Sequence, residues 1–298
     1  MRVNPLYMTN LVSSLDATSS AEQTLTEELA SGSAVNALSD NPVAAGENVL
    51  LSAQIQSDDS FSKTASSTSS MLQVSDSALS SVVSQLTTAI SLATEANNGT
   101  LNGSNLQSIS DQIAGIRDEV VSLANTTYLG HYIFAGSRSI AAPYSLDTST
   151  VPAAATYNGD SDVTFLKTPN GQSIQLNLPG SQIFSAAGSD VLGTLNKLVA
   201  DFSSGTPSAT AQQDTEALNT ALGYVSQQRV LIDNSITRLT AAENYTQVES
   251  TQLTAAQTTL LQADVGQIAT QLSTAETQQT ALSQVIATLG RQTLFNDL

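Results

Sequence analysis

The chain lacks cysteine and tryptophan, and aromatic residues make up only 4% of its 298 residues. Without cysteine it can form no disulfide bond and no thiolate zinc site, and it has no cysteine nucleophile. Its one histidine, His131, cannot build a histidine metal cluster alone. We therefore expect no metal and no cofactor, and thin apolar seams between helices rather than a thick globular core.

Charge is scarce as well. Charged residues make up 12% of the chain, about half the usual share, and Ser, Thr, Gln and Asn fill the polar positions instead. The 9 basic and 26 acidic side chains give a net charge of −17. Nucleic acids require clustered Lys and Arg, and anionic membrane surfaces repel an acidic chain. We therefore expect neither nucleic-acid binding nor membrane insertion.

Long hydrophobic runs are also missing. No run of eighteen apolar residues occurs, so we expect no transmembrane helix. The stretch from Met1 to Asn10 leads into a polar segment without the apolar core of a secretory signal. We expect any export to proceed without a cleaved signal peptide.

Helical periodicity after Pro207 is the strongest positive signal. From Ser208 to Leu298 the chain has no proline, and apolar residues recur mostly at steps of three, four or seven. This pattern predicts one continuous helix, and about 80 residues would reach about 120 Å. A helix that long cannot wrap around a compact core, so its apolar stripe must pack on other long helices.

Three more helices are predicted upstream, at residues 5–29, 44–97 and 105–126, and helix resumes near Asp190. The apolar stripe that begins at Phe61 alternates steps of four and three, as in a coiled coil. Between the helical arms, residues 136–190 are rich in Gly, Pro, Ser and Thr. There, two short strand patterns flank Asn170-Gly171, which suits a tight turn.

The predicted fold is mainly α: a long antiparallel helical bundle or coiled coil, built from the N- and C-terminal arms, with a small inserted β domain. We predict five segments. Residues 1–43 form an N-terminal helix segment that pairs with a C-terminal helix at 264–298. Residues 44–136 and 191–263 form the two parts of a helical rod, and 137–190 form the β insert.

Candidate chemistry is weak. The adjacent carboxylates Asp58-Asp59 and Asp118-Glu119 diverge on a helix, so we expect a solvated face. The loop Asn158–Asp162 lacks the glycine and glutamate of a calcium-binding EF-hand. His131 has no nucleophile pattern around it, and Asn125-Thr126-Thr127 is a glycosylation sequon of a kind common by chance. We expect no catalytic residue and no enzymatic activity.

The apolar stripes therefore carry the functional signal, and two interpretations remain open. They can form a bundle within one chain, or they can also pack against other subunits. Small neutral outward residues, and the scarcity of Glu/Lys pairs that close the flanks of an isolated coiled coil, favour the second interpretation.

Several motifs together resemble the flagellin superfamily and, within it, the hook-associated junction proteins that join hook to filament. The resemblance covers the whole chain and is weakest in the insert. The motifs that carry it are Arg2-Val3-Asn4, Leu29–Gly32, Ser39–Ala45, Ala124–Thr126, Gly130–Gly136, Tyr157–Asp160, Pro179-Gly180 with Phe184, the C-terminal Leu272, Gln278, Gln279, Ala281 and Leu282, and Leu294–Leu298.

Two departures separate this chain from flagellins proper. Flagellins usually have an Asp-Asp-Ala-Ala-Gly-Leu-like segment where this chain has residues 40–45. They also approach the last helix through a Ser-Arg-Ile-x-Asp-x-Asp-like segment, of which only Asp264 is shared here. Both departures favour a junction protein, and a minor flagellin that forms the filament itself is the alternative.

The resemblance implies a structural role outside the cell. It implies flagellar type III export, polymerisation as a ring between hook and filament, and a contribution to motility. The implied partners are the chain itself, another hook-associated protein, flagellin, and an export chaperone at the C-terminal helix. The candidate subunit and chaperone contacts are Leu11, Leu15, Leu25, Leu29, Ile268, Leu272, Leu282, Val285, Leu289, Leu294 and Phe295.

Overall fold

The computed structural model describes residues 5–294, with side chains from residue 6 to residue 289. The mainly α fold class is confirmed. Within the described residues, seven helices span Pro5–Ser31 (α1), Pro42–Asn97 (α2), Gly103–Ala124 (α3), Gly180–Ile183 (α4), Val191–Ser203 (α5), Ala211–Leu261 (α6) and Val265–Leu294 (α7).

The predicted β insert consists of small hairpins rather than one sheet. Within the described residues there are four pairs of antiparallel strands, of which the first, at residues 127–132, precedes the predicted insert at 137–190 and the other three lie in it. The strands are Thr127–Tyr128 (β1) with His131–Tyr132 (β2), Tyr144–Asp147 (β3) with Ala154–Tyr157 (β4), Phe165–Lys167 (β5) with Ser173–Gln175 (β6), and Ser185–Ala186 (β7) with Ser189–Asp190 (β8). In β5–β6, Phe165 lies opposite Gln175, and Gly171 has the positive φ expected of the predicted turn.

The chain divides into two compact units. We call residues 1–58 and 248–298 the terminal unit, and residues 59–247 the central unit. The five predicted segments do not follow this division, and their boundaries stay a prediction.

The central unit contains the predicted coiled-coil stripe of α2. Ile90, a predicted member, is half-buried, and its neighbour Ala89 is fully buried. A fully buried aliphatic side chain of leucine size contributes roughly 1.5–3 kcal/mol, so this stripe is a main source of stability. The buried α2 positions of the stripe are Phe61, Ala65, Thr68, Leu72, Ser75, Leu79, Val82, Leu86 and Ala93.

Polar contacts fix the antiparallel register of α2 and α6 within the central unit. Near one end, Asn97 Nδ2 donates to Thr215 Oγ1 at 3.0 Å. Further along, Arg229 binds Asp76 through two hydrogen bonds of 2.8 and 3.1 Å. Because a two-bond guanidinium–carboxylate pair tolerates little sliding, it holds the two helices at one register.

The prediction of one continuous helix from Ser208 to Leu298 is wrong, because the chain breaks at residues 262–264. Asp264 stops the helix by capping the next one: its Oδ1 accepts from the Gln267 N–H at 3.0 Å. The Ala263 N–H donates outside the helix, to Gly32 O at 3.0 Å. An Asp in the residue just before a helix is a strong start signal, so the break has a local cause.

Four aromatic rings pack against one another in the central unit. Phe134 and Phe184 meet edge to face with ring centroids 5.5 Å apart, and Tyr144 lies 5.0 Å from Tyr157. Tyr157 Oη also donates to Asp160 O at 2.6 Å, so its hydroxyl group has a partner within the central unit. Burial raises the pKa of both Tyr144 and Tyr157, which therefore stay neutral at physiological pH.

Candidate assembly interface

The two helices at the ends of the described chain, α1 and α7, pack against each other along a thin seam. In α7 only Ile268 and Ala275 are buried among the described side chains, at 5% and 7% exposure. None of the described side chains of α1 is buried. This pair therefore has much less of its own core than the central unit has.

The predicted contact residues lie along this half-open seam. Leu11, Leu15 and Leu25 of α1 are half-buried, and so are Leu272, Leu282 and Leu289 of α7. Leu29 and Val285 are more exposed, at 38% and 41%. Leu294 lies in the α7 backbone but its side chain is outside the described residues, and so is the whole of Phe295. Their role in contacts with other molecules stays a prediction.

An open groove of about 490 Å³ runs between α1 and α7. No charged side chain lines it. Its lining consists of small, hydroxyl and amide residues with one leucine: Ala21, Thr24, Leu25, Thr270, Gln271, Thr274, Ala275 and Gln278. Small residues allow another helix to approach closely, and the absence of charge removes the desolvation penalty of that approach.

Many hydroxyl groups on these helices are satisfied inside their own helix. A serine or threonine Oγ donates to the carbonyl four residues earlier, which leaves no hydroxyl proton that needs a new partner when the surface is covered. Such bonds, all of 2.8–2.9 Å, join Ser14 to Asn10, Thr18 to Ser14, Thr270 to Gly266, and Thr274 to Thr270.

A short backbone bridge joins the connection that follows α1 to the connection between α6 and α7. Ala34 N donates to Leu261 O at 2.7 Å, and Ser33 pairs with Gln262 as an isolated antiparallel bridge. Gly32 supports the turn with φ of +70°, which glycine adopts without strain. The terminal unit thus holds the ends of α1 and α6 at one point, close to the start of α7.

The segment between α1 and α2 contains the septet that begins at Ser39, predicted as a turn followed by a helix start. Asp40 Oδ2 accepts from Ala37 N at 2.7 Å and Asn36 N at 3.0 Å, and these bonds hold the Asp40 pKa below its ordinary value. Asn41 Oδ1 accepts from Ala44 N at 3.1 Å, so Asn41 caps α2. Asp40 thus binds backbone N–H groups of the turn before α2, and Asn41 binds one in the first turn of α2.

The residues weighed as chemical candidates have structural roles. His131 is exposed, and its Nδ1 lies 3.2 Å from Ser139 Oγ. The Asn125 amide is engaged in two bonds with the Tyr144 backbone, of 2.8 and 2.9 Å, so it does not present a free acceptor for a glycan. The loop at Asp160 closes on Ser137, whose N–H donates to Asp160 Oδ1 at 2.8 Å.

The part of the chain that the structure describes contains neither a metal-binding cluster nor a membrane-spanning helix. No group of three or more His, Cys, Asp or Glu residues lies together as a metal site there. No helix in that part is long and apolar enough to cross a bilayer.

Sequence reasoning missed three features. Asp58, expected on a solvated face, is 1% exposed and accepts from Gln54 Nε2 at 3.0 Å, because its side of α2 faces inward. Asp201 and Asp214, far apart in sequence, both lie buried around Thr210. Leu129 is 79% exposed with a φ of +49°. Of these three features, only Leu129 could have been recognised from the sequence, because Leu-Gly stands at a tight hairpin turn that favours Asn-Gly.

Comparison with known proteins finds flagellar relatives of this chain. The model for the bacterial flagellin N-terminal helical region matches residues 3–139. Flagellar hook-associated protein 3 of Salmonella typhimurium is 29% identical over 169 residues, which are 56% of this chain and 51% of that protein. Flagellar hook-associated protein 3 of Escherichia coli is 30% identical over 214 residues, 66% of this chain and 64% of that protein.

The matched stretches thus span between about half and two thirds of these curated relatives. Among solved structures, flagellar hook-associated protein-3 of Legionella pneumophila superposes with a TM-score of 0.63, covering 71% of this chain and 98% of that one. At 14% identity this likeness shows the fold. From these matches together, the chain is similar to flagellar hook-associated protein 3, and its residues 3–139 match the bacterial flagellin N-terminal helical region.

Proposed function

We propose that the chain is a structural protein of the bacterial flagellum that polymerises as a ring between the hook and the flagellin filament. The observation that carries the proposal is the similarity to two proteins named hook-associated protein 3. Its partners are further copies of itself, another hook-associated protein and flagellin.

The terminal unit supplies the main contacts between subunits. Leu11, Leu15, Leu25 and Leu29 of α1 join with Ile268, Leu272, Leu282, Val285 and Leu289 of α7 for this purpose. We also assign contacts to Leu294 and Phe295, whose side chains lie outside the described residues. What supports this role is the combination of half-buried leucines, an uncharged groove and internally satisfied hydroxyls. A surface of that kind gains apolar contact when it is covered and leaves few polar groups unpaired.

The same C-terminal helix binds an export chaperone before assembly. The chain then passes through the flagellar type III channel without a cleaved signal peptide and functions outside the cell. Two features support this route. The chain has no cysteine to oxidise on the way out, and α7 has few buried contacts to lose when a chaperone takes it.

We assign the molecule a structural role and no enzymatic one, and the β insert supports the fold rather than a reaction. A variant lacking residues 138–189 tests this assignment. Preserved motility and filament attachment would argue against an essential activity in the insert. Loss of both, with the rest of the chain still folded and exported, would contradict a purely supporting insert.

A minor flagellin is the alternative, because the matched family model describes flagellins in general. The two relatives named hook-associated protein 3 favour the junction. Seeded polymerisation separates the two: a flagellin extends into long filaments, whereas a junction protein forms short rings or no polymer.

Deletion of the gene is the test of the proposed function. Cells without this chain should build hooks but release flagellin monomers into the medium, because no ring holds the filament to the hook. Flagellin in the medium is measured by immunoblot, hooks are counted by electron microscopy, and a plasmid copy should restore motility. Normal attached filaments in the deletion strain would overturn the proposal.

A further inference from the structure

The tip of hairpin β1–β2 contains a backbone conformation that its residue does not favour. Leu129 has a φ of +49°, followed by Gly130 at +83°. Among the described residues, Leu129 is the one residue other than glycine with a positive φ. A branched apolar side chain is an outlier there, and a two-residue hairpin of this kind favours Asn-Gly.

The fold itself gains little from this leucine. Its side chain is 79% exposed, at the rim of a depression of about 360 Å³ that Tyr128 and Tyr132 help to line. A strained conformation that carries an exposed apolar group indicates a contact made with another molecule.

A groove that adjoins this depression in the central unit, with Asn177 in the lining of both, can hold such a side chain. It has a volume of about 210 Å³ and lies between hairpin β5–β6 and helix α6. Leu72, Leu178 and Ile232 form its apolar floor, and Phe165 and Leu231 stand at its edge with 57% and 51% exposure. Since a cavity of about 150 Å³ accepts benzene, this groove has room for one leucine side chain.

Charge favours a second copy of this chain as the occupant. Two copies of net charge −17 repel each other wherever carboxylates meet. No carboxylate lines the groove, and its one charged group is the Arg238 guanidinium, whose Nη2 also donates to Ser173 O at 2.9 Å. No carboxylate lines the depression beside Leu129 either. These are therefore two surfaces where acidic copies can meet.

We propose that Leu129 of one copy inserts into the groove beside Phe165 and Leu231 of the next copy. In this contact each copy gives its Leu129 to one neighbour and receives the Leu129 of another in its own groove, which makes the contact head-to-tail. Repetition of such a contact produces a ring or a helical array and not a closed pair. This contact rests on the proposed function and specifies one of the contacts by which the ring is built.

The absence of cysteine allows a direct test. The bacterium that makes this chain is supplied with two differently tagged versions, Leu129→Cys and Leu231→Cys, and its isolated flagella are oxidised. A disulfide-linked dimer carrying both tags is expected. Replacing Leu129→Cys by Ile140→Cys, at a position 87% exposed, should abolish it. If both versions are present in the flagella but form no mixed dimer, the contact is overturned and the proposed function stands.

A second variant separates contact from folding. Leu129→Asn should raise the melting midpoint by about 2 °C, because Asn suits the positive φ. It should also weaken retention of the chain in flagella by about tenfold, whereas Ile140→Asn should leave retention unchanged. Unchanged retention of Leu129→Asn would overturn the contact. If the chain is absent from wild-type flagella, the proposed function fails and the contact fails with it.

Discussion

Single residues in this chain set local stability through burial and backbone geometry. Asp214, in the first turn of α6, is 9% exposed and has Asp201 and Lys197 of α5 as charged neighbours. Burial raises its pKa above the ordinary 3.8, the charge of Asp201 raises it further, and Lys197, 3.8 Å away, opposes both. The folded chain therefore holds this proton more tightly than the unfolded chain does.

We predict that Asp214→Asn stabilises the protein at pH 7. A raised pKa means that the favourable contribution of Asp214 is complete below about pH 4 and declines as pH rises through the folded-state pKa. Asn cannot ionise, so the variant avoids that decline and the difference should vanish in acid. Urea unfolding of wild type and variant from acid to pH 7 measures this difference in the free energy of unfolding. Asp111→Asn, at an exposed site of α3, is the control. A variant less stable than wild type at pH 7 would refute the account of Asp214.

Two glycines with similar backbone angles provide a matched pair of substitutions. Gly130 has a φ of +83° with open space around it, so Gly130→Ala should cost about 1 kcal/mol of strain. Gly136 has a φ of +71°, and a Cβ there would lie 2.6 Å from the Asp160 carbonyl oxygen. Gly136→Ala should therefore cost more than about 2 kcal/mol. Equal losses in the free energy of unfolding would show that the contact with Asp160 imposes no constraint.

At the scale of elements, periodicity predicted the helices well because a buried stripe and a helical repeat are two aspects of the same geometry. The α2 residues that begin the stripe at Phe61 and Ala65 are buried as expected. The break before α7 was not predicted as a helix end, because its signal is a single capping Asp264 and its partner is the distant Gly32. Pairings between residues so far apart in sequence leave no local pattern.

The candidate surface was only partly predictable for a related reason. The leucines of α1 and α7 follow from periodicity and family resemblance. The exposed Leu129 and the groove at Leu231 do not, since both arise from how hairpins pack on helices. Exposure and cavity shape depend on tertiary contacts, which the spacing of residues in one chain does not encode.

The thin seam between α1 and α7 has a measurable consequence. We predict that amides of α1 and α7 exchange hydrogen much faster than those of α2 or α3, because few buried side chains oppose local opening. Hydrogen exchange of the monomer, followed by mass spectrometry, measures this, and protection of both helices should rise on assembly. Strong protection in the free monomer would mean that the seam suffices by itself and would remove the argument for an external partner.

At the scale of the whole molecule, three features suit a protein that assembles with other copies. Charged residues are few, many hydroxyl groups bond within their own helix, and the leucines between α1 and α7 are only half-buried. A subunit that must be held by others needs surfaces that lose little when they are covered. The central unit instead keeps a fully buried core and paired polar contacts such as Arg229 with Asp76. The central unit thus has the larger core of its own, and the proposed function assigns the main contacts between subunits to the terminal unit.

The position of the chain on an intact flagellum tests the central claim most directly. An epitope inserted after Thr148, in the exposed β3–β4 loop, can be located with gold-labelled antibody by electron microscopy. The junction assignment predicts gold confined to the boundary between hook and filament. Gold along the whole filament would contradict it in favour of a flagellin, and flagella without gold would contradict a place in the flagellum altogether.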